Sequence, residues 1–188
     1  ALTTNSGSIT LSADDDIIFT AAGDLSSTNG TISITADEDA TSDTGSGGAL
    51  TMADGTVINA GLGIISATSD ENLTLGQMTT TNSTSSAITL NSKSGNILDG
   101  GDTNEDLTAA NGTIVVSAGG TFGTTSNAIE KTSAGINTSG VTTSLEDETA
   151  SNTLAGTNET VGEASVDQTI NIVENLVKSA SKNSREPV

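Results

Sequence analysis

The sequence predicts an all-β parallel solenoid of about five coils, and three observations lead there. From residue 7 to about 130, apolar residues recur at i and i+2 between small polar ones, as in Ile9/Leu11, Ile32/Ile34, Leu73/Leu75, Ile88/Leu90 and Ile114/Val116. A period of two turns one face of an extended strand inward. Thr, Val and Ile are plentiful, and their branched side chains suit a pleated surface. The strands also repeat. Gly7-Ser8-Ile9-Thr10-Leu11-Ser12-Ala13 matches Gly30-Thr31-Ile32-Ser33-Ile34-Thr35-Ala36, and then Ser86-Ala87-Ile88-Thr89-Leu90-Asn91-Ser92 and Gly112-Thr113-Ile114-Val115-Val116-Ser117-Ala118. A weaker copy starts at Gly63-Ile64-Ile65, so the leading apolar positions are 9, 32, 64, 88 and 114, about 23 to 32 residues apart.

Each interval has room for three short strands. The first predicts Ile9–Ala13, Ile17–Ala21 and Leu25–Thr28, with turns at Asp14-Asp15-Asp16, Gly23-Asp24 and Asn29-Gly30. The fourth predicts Ile88–Asn91, Asn96–Leu98 and Leu107–Ala109. The long second interval carries an insertion, placed at residues 42–48. Coils of this kind stack about 4.8 Å apart. One coil cannot bury its own apolar face, whereas five share a narrow core. A chain that is 32% apolar with two aromatics, Phe19 and Phe122, can fold that way. The competing architecture is a β-sandwich, because Asn29-Gly30 and Asn111-Gly112 are hairpin signals. Nothing in a sandwich requires a repeat near 24 residues, and its core usually relies on larger aromatic side chains.

The units Gly7-Ser8-Ile9-Thr10-Leu11-Ser12-Ala13, Gly23-Asp24-Leu25 and Asn29-Gly30 resemble the repeats of filamentous-haemagglutinin-like bacterial adhesins. The resemblance covers about residues 5–135. It implies a right-handed parallel β-helix serving as the shaft of a two-partner-secreted surface protein. The amino-terminal secretion domain of that family is not in this sequence.

Past residue 135 the alternation stops. Three regions follow: residues 1–135 as solenoid, 136–164 as a polar linker or irregular last coil, and 165–188 as an amphipathic helix with a loose tail. Ser165-Val166-Asp167-Gln168 forms a capping box. Val166, Ile170, Val173 and Val177 recur at helical spacing, with Lys178 and Lys182 near the carboxyl end of that helix.

Composition narrows the functions. The chain has 24 Asp+Glu against 5 Lys+Arg, a formal charge of −19, no His and no Cys. Phosphate binding needs clustered cations and base stacking needs aromatics, so nucleic acid is excluded as a partner. Without Cys or His, a metal site has only oxygen ligands, which suit hard cations such as calcium. No apolar stretch reaches the roughly 20 residues that span a bilayer, so no membrane insertion is expected.

Two acidic features are candidate cation sites. Asp14-Asp15-Asp16 and Asp37-Glu38-Asp39 follow corresponding strands, so stacking would put six acids on one corner, either as a cation site or as a solvated edge. Asp102, Asn104 and Asp106 hold the 1, 3, 5 spacing of a calcium loop, although Leu107 replaces its glycine and Thr113 its last ligand. No cofactor is required. Thr10, Thr35, Thr89 and Thr113 do not keep one register against their leading Ile, which argues against an ice-binding face. Catalytic β-helices pair acids with basic groups; here the repeats carry only Lys93, read as a solvated turn residue, and Lys131. The expectation is therefore a non-catalytic adhesin shaft, extracellular or on a bacterial surface. Its partners would be itself or further repeats head-to-tail, and a host, cell-surface or glycan receptor. The alternative is a carbohydrate-active β-helix enzyme or polysaccharide-binding module.

Overall fold

The computed structural model describes residues 1–37, 47–101, 104–138, 141–143, 145–147 and 154–155. The helix expected over 165–188, most of the 136–164 linker and the 42–46 part of the insertion lie outside these residues.

The described chain is a right-handed parallel β-solenoid of about five turns. Its strands are β1 (Leu2–Thr4), β2 (Ile9–Ala13), β3 (Ile17–Phe19), β4 (Leu25–Ser27), β5 (Ile32–Ala36) and β6 (Leu50–Met52). Then come β7 (Val57–Asn59), β8 (Ile65–Ser69), β9 (Leu73–Leu75), β10 (Gln77–Thr79), β11 (Ile88–Ser92) and β12 (Ile97–Asp99). The last six are β13 (Leu107–Ala118), β14 (Thr121–Phe122), β15 (Ile129–Asn137), β16 (Thr142–Thr143), β17 (Leu145–Asp147) and β18 (Leu154–Ala155). Every pairing between these strands is parallel, each with its counterpart one coil away. That removes the sandwich. Asn111-Gly112 is a bend inside β13, where its register with β15 shifts, rather than a hairpin.

Stacking in register builds apolar columns. Ile9, Ile32, Ile65, Ile88, Ile114 and Ile136 are successive Cα partners and form one ladder. Ile17, Leu50, Leu73, Ile97 and Phe122 form a second. Leu25, Ile58, Met78, Leu107 and Lys131 form a third. The third coil differs from expectation by one residue: Ile65, not Ile64, takes the inward rung. Ile65, Ala67 and Ser69 share the buried phase, while the Ile64 carbonyl accepts from the Ile32 N–H at 3.0 Å.

The glycines that open the repeats have a steric reason. A Cβ on Gly30 would fall against the Gly7 carbonyl oxygen, and one on Gly63 against the Gly30 carbonyl oxygen. Backbone, unlike a flexible side chain, cannot step aside. Gly30→Ala therefore lowers stability by about 1–3 kcal/mol, the usual cost of overpacking. Chemical denaturation checks it; an unchanged midpoint would show that the corner opens freely.

The corner after the first strand carries charge in each of the first four coils. The Asp37 N–H donates to the Asp15 carbonyl at 3.3 Å, and Asp37 has a φ of 61°. Lys93 lies 3.2 Å from Asp37 and 3.8 Å from Asp70, so it bridges coils instead of standing solvated in a turn. Its side chain is 38% exposed, so Lys93→Met costs less than about 1 kcal/mol. That loss shrinks as salt screens the pair; melting curves at low and high sodium chloride test it. Glu38 and Asp39 lie outside the described residues. Among the described residues, no helix is long and apolar enough to cross a membrane.

Candidate functional site

Three carboxyl groups meet at the corner between the second and third strands of the fourth coil, where the fifth coil stacks on it. Asp99 ends β12 at an inward position, one rung from Leu75 in a column that begins with Phe19 and Met52. It is a polar group in an otherwise apolar column. The chain then turns through Gly100 and Gly101, whose φ of 103° favours glycine. The Gly101 N–H donates to Asp99 Oδ1 at 2.9 Å, while Asp99 Oδ2 is buried with no hydrogen-bond partner.

Asp106 immediately precedes β13. Its N–H donates to the Glu130 carbonyl at 3.1 Å, and its own carbonyl accepts from the Met78 N–H at 2.7 Å. These ladder bonds hold it opposite Glu130, whose N–H returns to Asp106 Oδ2 at 3.2 Å. Asp99 and Asp106 are 7% and 3% exposed. Glu130 is more open than either. One carboxylate oxygen from each of the three lies within 4.8 Å of the others.

Burial is the main reason that the Asp106 carboxyl is pushed up to about 9. The charges of Asp99 and Glu130 and a hydrogen bond to the Glu130 side chain raise it further, against the Glu130 backbone N–H, which lowers it. At neutral pH Asp106 therefore holds a proton. One residue beyond Glu130, Lys131 is fully buried at an inward position of the ladder.

This arrangement can do two things. A neutral acid beside two other carboxyl groups can give and take a proton. Two oxygens on one calcium ion, each 2.3–2.6 Å from it, lie at most about 5 Å apart, so the triad is also capable of coordinating a metal ion. Among the described residues it is the one such group of three. The expectation of a non-catalytic chain does not stand, because this cluster is a candidate metal or catalytic site. A basic partner was expected beside catalytic acids; here burial and mutual repulsion supply a protonated acid instead.

Of the calcium-loop candidates, Asp106 joins this cluster, Asn104 is exposed, and Asp102 lies outside the described residues. Asp99 and Glu130 were missed. The signal for Asp99 was an acid at the rung that holds Phe19 and Leu75 elsewhere, but the strand predicted over Asn96–Leu98 ended one residue short of it.

Hydroxyls line the outside. Thr10, Ser33, Ser66, Thr89 and Val115 share one outward column, and Ser12, Thr35, Thr68, Asn91 and Ser117 share the next. Thr10 and Thr89 share a column, while Thr35 lies one column over and Thr113 pairs with Gly135, so the four hold no common register, as expected. Thr79, Thr108 and Thr132 continue a third column, two residues beyond Asp106 and Glu130.

No family model, curated protein or solved structure matches the chain. The fold is a parallel β-solenoid, consistent with haemagglutinin-type repeats but not specific to them.

Proposed function

We propose that this solenoid is carbohydrate-active, handling a polysaccharide along its hydroxyl-bearing outer face and reacting it at Asp99, Asp106 and Glu130. The observation that carries this is the meeting of three carboxyl groups within 4.8 Å, with burial pushing the Asp106 carboxyl up to about 9. Their closeness is nearer the short separation of retaining glycosidases, about 5–5.5 Å, than the inverting separation of about 6.5–9.5 Å. Asp106 gives its proton to the glycosidic oxygen as the C–O bond breaks. Glu130, the most open of the three, bonds the anomeric carbon through its carboxylate. Water then releases the sugar, losing its proton to Asp106. Thr108 and Thr132 contact sugar hydroxyls. A polysaccharide substrate puts the chain outside the cell or at its surface, in keeping with the adhesin-like repeats.

The test is reducing-end release from a panel of neutral and uronate-containing polysaccharides. Asp106→Asn lowers turnover by about 100-fold or more, with the far-ultraviolet circular dichroism unchanged. Turnover also falls above about pH 9, where Asp106 loses its proton. No release from any member, or an Asp106→Asn chain as active as the parent, overturns the proposal.

A second occupant has its own observation, the buried Asp99 Oδ2 that meets no donor. Such an oxygen is costly unless a water or ion satisfies it. We propose calcium, since the ligands are all hard oxygens. Millimolar calcium then raises the melting temperature by mass action, more than sodium chloride of equal ionic strength. Equal shifts from both salts would reduce the effect to screening.

A further inference from the structure

We propose that calcium at Asp99, Asp106 and Glu130 is a staple between successive coils, holding residues 106–137 onto the coils before them. The inference rests on the calcium reading of the site.

The cluster lies where one of the solenoid's ladders thins. In the sheet that contains Asp99, β3 pairs β6 through three residues and β9 pairs β12 through three. The next step is much shorter: β12 pairs β14 through Ile97 and Phe122 alone. Leu98 and Asp99 thus have no partners in that ladder one coil on, and Asp99 sits at the unpaired end. On the adjoining side, the β13–β15 register shifts between Ala109 and Thr113. Both irregularities fall at the same joint.

The three acids straddle it. Asp99 belongs to β12, Asp106 leads into β13, and Glu130 belongs to β15 one coil further. Carboxyl groups drawn to within 4.8 Å across a joint repel one another unless a proton, as on Asp106, or a counter-ion lies between them. A divalent cation reverses that force. It joins β12 to β15, two strands that do not pair with each other, and it satisfies Asp99 Oδ2. Coils before the joint, with five-residue pairings such as β8 with β11, have no need of it.

Two measurements on the 188-residue chain separate binding from stapling. Isothermal titration with calcium chloride reads binding. Hydrogen exchange in calcium or in sodium chloride of equal ionic strength reads where stability changes. The staple slows exchange of amides in 106–137 by about tenfold or more and leaves those of Ile32–Ala36 and Ile65–Ser69 unchanged. Asp99→Asn and Glu130→Gln each abolish both the heat and the protection, whereas Asp70→Asn keeps both. Binding heat without local protection overturns the staple and leaves the calcium reading standing. Protection spread evenly over all coils also overturns the staple, and absence of binding overturns both.

Discussion

Ile88→Asp leaves the chain unfolded at neutral pH. Ile88 is fully buried in the middle of its ladder, with Ile65 on one side and Ile114 on the other. An aspartate there has apolar rungs above and below it. Taking an unpaired carboxylate out of water costs several kcal/mol even after relaxation, and losing the isoleucine's apolar contacts adds about 2–5 kcal/mol. The sum approaches the roughly 5–15 kcal/mol that holds a whole domain folded. The shape-conserving control, Ile88→Val, costs about 0.5–1.5 kcal/mol. Urea titration followed by circular dichroism distinguishes them. A cooperative Ile88→Asp transition at the parent's midpoint would contradict the lumen position.

The second large effect is a fall in stability as pH rises from about 4 to about 9. Asp106 is pushed up to about 9 in the folded chain, against an ordinary value of 3.8. Between those limits the folded state holds a proton that the unfolded state has released. Unfolding therefore releases protons, and stability drops by up to about 1.4 kcal/mol per pH unit. The contribution is complete below pH about 4 and is lost as pH climbs through about 9. Asp99 and Glu130 face Asp106 directly, Glu105 adjoins it in sequence, and Lys131 adjoins Glu130. The remaining acids of a chain with net charge −19 add their own repulsion over part of this range. The informative readout is therefore the difference between parent and Asp106→Asn. The variant keeps a neutral group of similar size at all pH values, so its melting temperature falls less from pH 5 to pH 8, and at pH 8 it is the more stable chain. Both are measured with a chelator present, so that no divalent ion replaces the proton. Parallel pH profiles would show that Asp106 titrates as an ordinary exposed acid.

How much was legible in the residues depended on distance along the chain. Within a strand, side-chain direction follows from the period of two, so Ile9, Ile32, Ile88 and Ile114 could be assigned to one inward ladder before any coordinates, and the structure stacks them. Ile64 was off by one because Gly63-Ile64-Ile65 offers two apolar residues in succession, and alternation does not choose between them; the neighbouring coil does, through its backbone hydrogen bonds. Lys93 looked solvated because Asp37 and Asp70 lie far from it in sequence and become neighbours only when coils stack.

The sequence by itself determined the repeat, the strand faces outside the third coil, the glycine corners and the hard-oxygen chemistry. Only the tertiary structure decided the site. Asp106 falls on the outward phase of the alternation that buries Leu107 and Ala109, yet it is buried, because the corner places Asp99 and Glu130 beside it. A period reports which way a side chain points from its own strand. It carries no information about what the next coil lays over that side chain, and that covering is what turns an ordinary acid into one that keeps its proton to about pH 9.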